Sequence, residues 1–330
     1  MKTAGHGVWT GLGSLFIAMC LTIFSGTSIQ AASPEYPSRT INVLVPFPPG
    51  GSTDLAARTL AESMERHLKY PVVVVNKVGG ATTVAGYAVA SAKPDGYTLG
   101  FFPPGAAIPE AYVFFQEAPY ASRDLKHIAA VEAPLISVAV KEDASWNSFK
   151  ELIEYARKNP GLKVGTAGKH TVQHMLVTTL NKMEKTGFVA VPFSGDATNL
   201  PAMLGGHTSV AMMEYSALKS LVEAKKVKVL AFVTNKKAEF APNIPTVVEL
   251  GYPIVYLPIV GLLGPKGLPE EIVEKLENLV AKICTEQDFQ ARMRNVPLQI
   301  MYQNSSTYEK SNLTYKENIL AFFKEEGLVK

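Results

Sequence analysis

The feature that most constrains this chain is a sustained alternation of short β-branched runs with segments of helical period. Ile41 to Val45 reads as a strand that ends at Pro46. Asp54 to Lys69 carries Ala57, Leu60, Ala61, Met64 and Leu68 at helical spacing. Val72 to Val75 is a continuous apolar run, which predicts a buried strand. A helix over Thr83 to Ala92 and an extended segment over Tyr97 to Phe101 follow. Phe102 to Lys126, rich in Pro and aromatics, has no clear period, and Ile128 to Val140 reads as one long extended segment. Ser148 and Glu151 have capping-box spacing and open a helix that stops at Asn159-Pro160-Gly161. Strands at Lys163 to Thr166, Phe188 to Pro192, Ser209 to Met213 and Val227 to Val233 then alternate with helices. Those helices are Thr171 to Lys185, a short one ending at Gly205-Gly206, and Ser216 to Ala224. Ile259 to Leu263 is extended, and Pro269 to Cys284 is a helix with Ile272, Leu276, Leu279 and Ile283 on one face. Such alternation implies parallel sheets covered by helices on both faces. Ligands of such sheets sit beyond the carboxyl ends of the strands, where helix N-termini point.

The N-terminus predicts the compartment. Met1 to Thr10 has one lysine, Lys2, and no acid; Leu12 to Phe24 is apolar; small residues follow, up to Ala31-Ala32. This is the layout of a cleavable secretory signal peptide over residues 1–32. The apolar run falls short of the about 20 residues a membrane span needs. Met19 precedes Cys20 where a lipidation site carries a small residue, so Cys20 argues weakly for a lipid anchor. The remaining length suits two domains or one large one. Removing Lys2 lowers the net charge from +3 to +2, and no run of like charges forms a nucleic-acid footprint. One cysteine, Cys284, then remains, which excludes an intramolecular disulfide and a cysteine metal cluster. Its place on an apolar helix face predicts a buried, inert thiol.

Three strand-to-helix turns are candidate ligand sites. The first runs from Val45 to Asp54: Pro48 and Pro49 precede Gly50 and Gly51, and Ser52, Thr53 and Asp54 open the helix. Exposed amides at a helix N-terminus favour an anion, and glycine permits close approach. A plain tight turn explains the same residues. The second, Gly165 to Thr171, superficially resembles a phosphate loop. It fails that pattern, because Lys163 stands where a glycine is needed and His170 where a hydroxyl is needed. His170 and His174 have metalloprotease spacing, but Thr171 occupies the position of the glutamate base. The third turn is Pro192 to Asn199, and Glu214 ends the strand nearby as an acid at a cleft mouth or a helix cap. There is no G-x-S-x-G elbow and no G-x-G-x-x-G fingerprint, and no base is evident near Ser52. The expectation is therefore no enzyme, no metal and no cofactor.

Taken together these segments resemble the periplasmic substrate-binding proteins of tripartite tricarboxylate transporters, the Bug receptors. The resemblance runs from Tyr36 to about Glu325. It rests on Pro46 to Asp54 (PFPPGGSTD), on Asn76 to Leu99 ending in Pro94-Asp95-Gly96-Tyr97-Thr98-Leu99, and on Leu204-Gly205-Gly206. Pro245 to Pro253 and Gly261 to Pro265 add further matches. The resemblance implies a two-lobed α/β fold of the periplasmic-binding-protein (Venus flytrap) kind, each lobe a mostly parallel sheet flanked by helices. Residues 33–133 and 257–330 would build the first lobe and residues 134–256 the second. It further implies a small organic carboxylate held between the lobes by amides and hydroxyls. The corresponding positions here are Gly50, Gly51, Ser52, Thr53 and Asp54, then Thr166, Ala167, Gly168 and Thr171. A monomer that docks transiently on membrane transporter subunits is the implied partner arrangement.

Departures from the family pattern locate specificity. Lys169 and His170 stand in a loop of small residues, Ala167 replaces a hydroxyl, Phe102-Pro103-Pro104 replaces a Gly-Thr pair, and Asp196 replaces glycine. These suggest that Lys169 or His170 contacts a second acidic group, and that Asp196 meets a ligand amine or pairs with Lys169. A solvent-facing pair at the cleft rim is the plainer reading. Phe102 and Phe193 would wall an aromatic or aliphatic ligand, or belong to the core. A receptor that presents ligand to a sensor kinase, and a periplasmic hydrolase or isomerase on the same fold, are the alternatives.

Overall fold

The computed structural model describes residues 36–112, 118–169, 171–252, 257–296, 298–325 and 327. The expected signal peptide, and His170, lie outside the described residues. Tyr36 to Lys330 forms one compact unit containing two sheets.

The first sheet begins with β1 (Ile41–Val45), α1 (Ser52–Leu68), β2 (Val72–Asn76), α2 (Thr83–Ala90), β3 (Thr98–Phe102), α3 (Pro104–Ala107) and β4 (Leu125–Ala133). The second is built from β5 (Ile136–Lys141), α4 (Phe149–Lys158), β6 (Lys163–Thr166), α5 (Val172–Glu184) and β7 (Val189–Pro192). It is completed by α6 (Asp196–Leu204), β8 (Val210–Glu214), α7 (Lys219–Glu223) and β9 (Val227–Phe232). The chain then returns through β10 (Val260–Pro265), α8 (Glu270–Thr285), α9 (Gln287–Asn295), β11 (Gln299–Asn304) and α10 (Ser305–Glu325). The strand orders are β11-β4-β10-β3-β1-β2 and β7-β6-β8-β5-β9.

The sheets are mixed, where mostly parallel ones were expected. Parallel pairs are β1 with β2 and β3, and β6 with β7 and β8. β10 runs antiparallel to β3 and β4, β11 to β4, and β5 to β8 and β9. The reversals involve the strands on either side of each passage between the lobes and the strand that follows the return. The long extended segment from Ile128 to Val140 is in fact two strands in different sheets. Pro134 separates them, because a proline supplies no donor to a ladder.

β2 also departs from expectation. It lies at an edge, and Val73 and Val75 are 44% and 40% exposed, so only alternate residues face α1. An unbroken valine run therefore marks β propensity rather than two-sided burial. By contrast α1 follows its periodicity and buries Ala57, Leu60, Ala61 and Met64. α9, β11 and α10 had no counterpart in the sequence reading. α10 belongs to both lobes. Tyr308 packs on first-lobe residues, whereas Tyr315, Ile319, Phe322 and Phe323 enter the core of the second lobe with Val138, Phe149 and Leu176. Near its first-lobe end, Asn312 bonds the ring of buried His127 at 2.9 Å, and Tyr308 stacks edge-on against that ring. Among the described residues no helix is long and apolar enough to cross a membrane.

Candidate functional site

The turn after β1 is organised by one carboxylate. Asp54, 1% exposed, accepts from the Gly50 amide at 2.9 Å, Arg58 Nε at 3.0 Å and Asn76 Nδ2 at 2.7 Å. Burial alone would raise its pKa, but these hydrogen bonds and the Arg58 charge together hold it below the usual carboxylate value. Gly50 has φ +89°, a conformation open to glycine at no steric cost, and a Cβ on it would meet nothing within 4 Å. The first helical bond of α1 runs from Leu55 N–H to Gly51 O. The amides at the start of the helix therefore lack intrahelical acceptors and keep their pull on an anion. Asp54 itself faces inward with both oxygens engaged. These bonds hold the turn.

In the second lobe the β6–α5 turn is likewise self-bonded. Thr166 is fully buried and its hydroxyl donates to Gly168 O at 3.3 Å. Thr171 caps α5, donating to Gly168 O at 2.9 Å and accepting from the His174 amide. These two hydroxyls shape the turn. Lys169 is exposed, and among the described residues no ion pair joins it to Asp196. Ala167 and Phe193 are partly buried, and the Phe193 ring lies beside Gly165. Pro48 is exposed beside the first turn. Phe102 is not at a cleft wall. It is fully buried among Leu44, Val89, Ala106 and Tyr308, where it covers the face of Gly100.

The two lobes meet through Ser52 and Glu214. Ser52 Oγ, on the first helical turn of α1, donates to Glu214 Oε2 at 3.2 Å, at the end of β8. Ser216 Oγ donates to the same oxygen at 3.3 Å, and the Glu214 amide donates to Asp196 Oδ2 at 2.9 Å. Burial raises the Glu214 pKa, against the opposing pull of the two serines. Burial, aided by the Glu214 charge and opposed by the Glu214 amide, pushes Asp196 up to about 6. Glu132, near the end of β4, is 1% exposed and is raised well above its ordinary value by burial and then by the Glu214 charge.

Glu132, Ser216, Arg58 and Asn76 were missed in the sequence. A signal existed for Glu132: it is the one acid in the otherwise uncharged run from His127 to Val140. None existed for Asn76, whose contact with Asp54 is made by chain folding. Cys284 is buried, and burial pushes its thiol up to about 12, which suppresses the reactive thiolate. Among the described residues no three His, Cys, Asp or Glu are placed to hold a metal ion.

Comparison with known proteins places this geometry. The chain is 29% identical over 309 residues to the UPF0065 protein in the gbd 5' region of Cupriavidus necator, covering 91% of each. A TctC solute-binding protein from Polaromonas, solved with no ligand, superposes with a TM-score of 0.76 at 26% identity, covering 88% of this chain and 99% of that one. The R. palustris protein Rpa4515, solved with adipate, gives a TM-score of 0.75 at 25% identity, covering 88% and 98%. The model of the tripartite tricarboxylate transporter family receptor, TctC, matches residues 56–320. With a match of that extent and two lobes meeting at the α1 turn, the chain belongs to the TctC receptor family and is a periplasmic solute-binding protein.

Proposed function

We propose that this protein captures a small organic carboxylate between its lobes and carries it, as a monomer, to a tripartite membrane transporter on which it docks transiently. The observation that carries this reading is the turn from Gly50 to Asp54. Its first helix amides have no intrahelical acceptor, the Ser52 hydroxyl there meets Glu214 of the other lobe, and Asp54 ties the turn together. Neutral donors and a helix dipole hold an anion without a permanent ion pair, which suits a carrier that releases its cargo. The adipate bound by the R. palustris relative supports the same ligand class. Lobe limits at residues 33–133, 134–256 and 257–330 belong to the proposal, with α10 shared between lobes; the separate sheet of β5 to β9 supports them. Contacts from both lobes stabilise the closed state more than the open one, so ligand shifts the population toward closure. Thermal unfolding against a panel of organic acids and neutral sugars tests this. At least one acid should raise the midpoint; stabilisation by a sugar alone would overturn it.

A further inference from the structure

Glu132 is out of keeping with the strand that holds it. Beside it lie Val260 of β10 and Ile300 of β11, and its Oε2 is buried with no hydrogen-bond partner. Two residues on, Pro134 begins the passage to the second lobe. There Leu135 O accepts from the Tyr215 amide at 2.8 Å, and Ile136 stands opposite Glu214. Glu132 and Glu214 therefore approach the same junction from opposite lobes. Asp196 adds a second bare oxygen: Oδ2 is taken by the Glu214 amide, while Oδ1 is buried without a partner.

Asp196 thus bonds the Glu214 backbone and Glu132 lies within reach of the Glu214 charge, and among the described residues no lysine or arginine forms an ion pair with any of the three. Buried carboxylates without partners are costly, and a cation or a proton must compensate them. The groups are not placed to share one metal ion. A neutral hydroxyl satisfies an oxygen but leaves its charge uncompensated. An ammonium supplies both charge and several donors.

We infer that the cleft takes an organic acid that also bears a protonated amine, its carboxylate at the α1 turn and its ammonium received by Asp196 and Glu214, with the buried Glu132 adding its charge from the first lobe. This deepens the receptor reading and rests on it. Without ligand, burial and the Glu214 charge favour the protonated forms of Glu132 and Asp196. The arriving ammonium takes the place of that proton.

Matched pairs of ligands test the inference by calorimetry and thermal unfolding: aspartate against succinate, glutamate against glutarate, and the other common amino acids against their deaminated acids. In the wild-type protein the best ligand should carry the amine and bind at least tenfold more tightly than its deaminated counterpart. Asp196→Gly and Glu132→Gln should each narrow that difference, with folding checked by near-ultraviolet circular dichroism. Should either variant fail to fold, the wild-type ratio alone decides. Equal or tighter binding of the deaminated acids overturns the inference and leaves the carboxylate receptor intact. If no acid of either kind binds, both readings fall.

Discussion

Replacing Asp54 by alanine should loosen the whole first turn. The carboxylate receives three hydrogen bonds, but they are unequal in worth. Arg58 is 42% exposed and also reaches Asn76 Oδ1 at 2.9 Å, so water and that bond compensate its loss to within about 0.5 kcal/mol. Asn76 Nδ2 keeps a bond to Phe47 O at 2.9 Å. The Gly50 amide has no such alternative in the turn. Charge-assisted bonds of this kind contribute about 1.5 kcal/mol each at the low end. The Gly50 contact then gives ~1.5 kcal/mol, the Asn76 contact up to as much again, and Arg58 little more, about 2–3 kcal/mol in all. Asp54→Asn keeps one acceptor oxygen and should cost about half as much. Urea unfolding with an unchanged slope measures the loss. Hydrogen exchange at Gly50, Gly51 and Ser52 should speed up in parallel, and affinity for the tightest acid should fall at least tenfold. A loss in Asp54→Ala below ~1 kcal/mol, with affinity intact, refutes the view that this carboxylate organises the site.

Ser52→Ala removes the hydroxyl that bonds Glu214 between the lobes, and small-angle scattering of the liganded protein should show a smaller closed fraction. The Asp196 carboxyl rises from 3.8 to about 6, so folding binds its proton more tightly and its contribution is lost as pH climbs through about 6. Asp196→Asn should therefore gain on the wild type between pH 4 and 7, by at most about 3 kcal/mol, as read from urea midpoints. His127 acts in the opposite sense: burial and then the Lys126 charge lower it to about 4, so stability should fall as pH drops from about 6.5 to 4. A His127 variant that retains Asn312 pairing, His127→Gln, should flatten that acid limb. Gly261→Ala would place a Cβ 2.4 Å from Ala129 O and 2.8 Å from a Tyr308 ring carbon. Because β4 backbone cannot retreat, we expect a loss of about 2–3 kcal/mol, measured by chemical denaturation.

The local order of the chain was readable because strands and helices write their periods into adjacent residues. The positions of β1, α1, α4 and α8, and the cap at Ser148, follow from spacing and turn chemistry. The resemblance carried by PFPPGGSTD and its companions gave the family, and with it the two-lobed form. Other features depend on partners far away in sequence. Whether the valines of β2 are covered depends on where the sheet ends. Whether Ile128 to Val140 is one strand or two depends on which sheet each half joins. The mixed strand directions and the shared helix α10 arise from crossings that leave no local period.

The site divides in the same way. The sequence by itself determined a glycine-bearing strand-to-helix turn at Gly50 to Asp54, since glycine conformation and helix amides are properties of neighbouring residues. The family resemblance marked Asp196 as unusual. Only the tertiary structure decided that Asp54 faces inward, that Phe102 belongs to the core, and that Asp196 meets the Glu214 amide rather than Lys169. Only it brought Glu132 and Glu214 from separate sheets to one junction. The charge balance of a buried cleft is a sum over groups distant in sequence, and burial makes each of those charges matter.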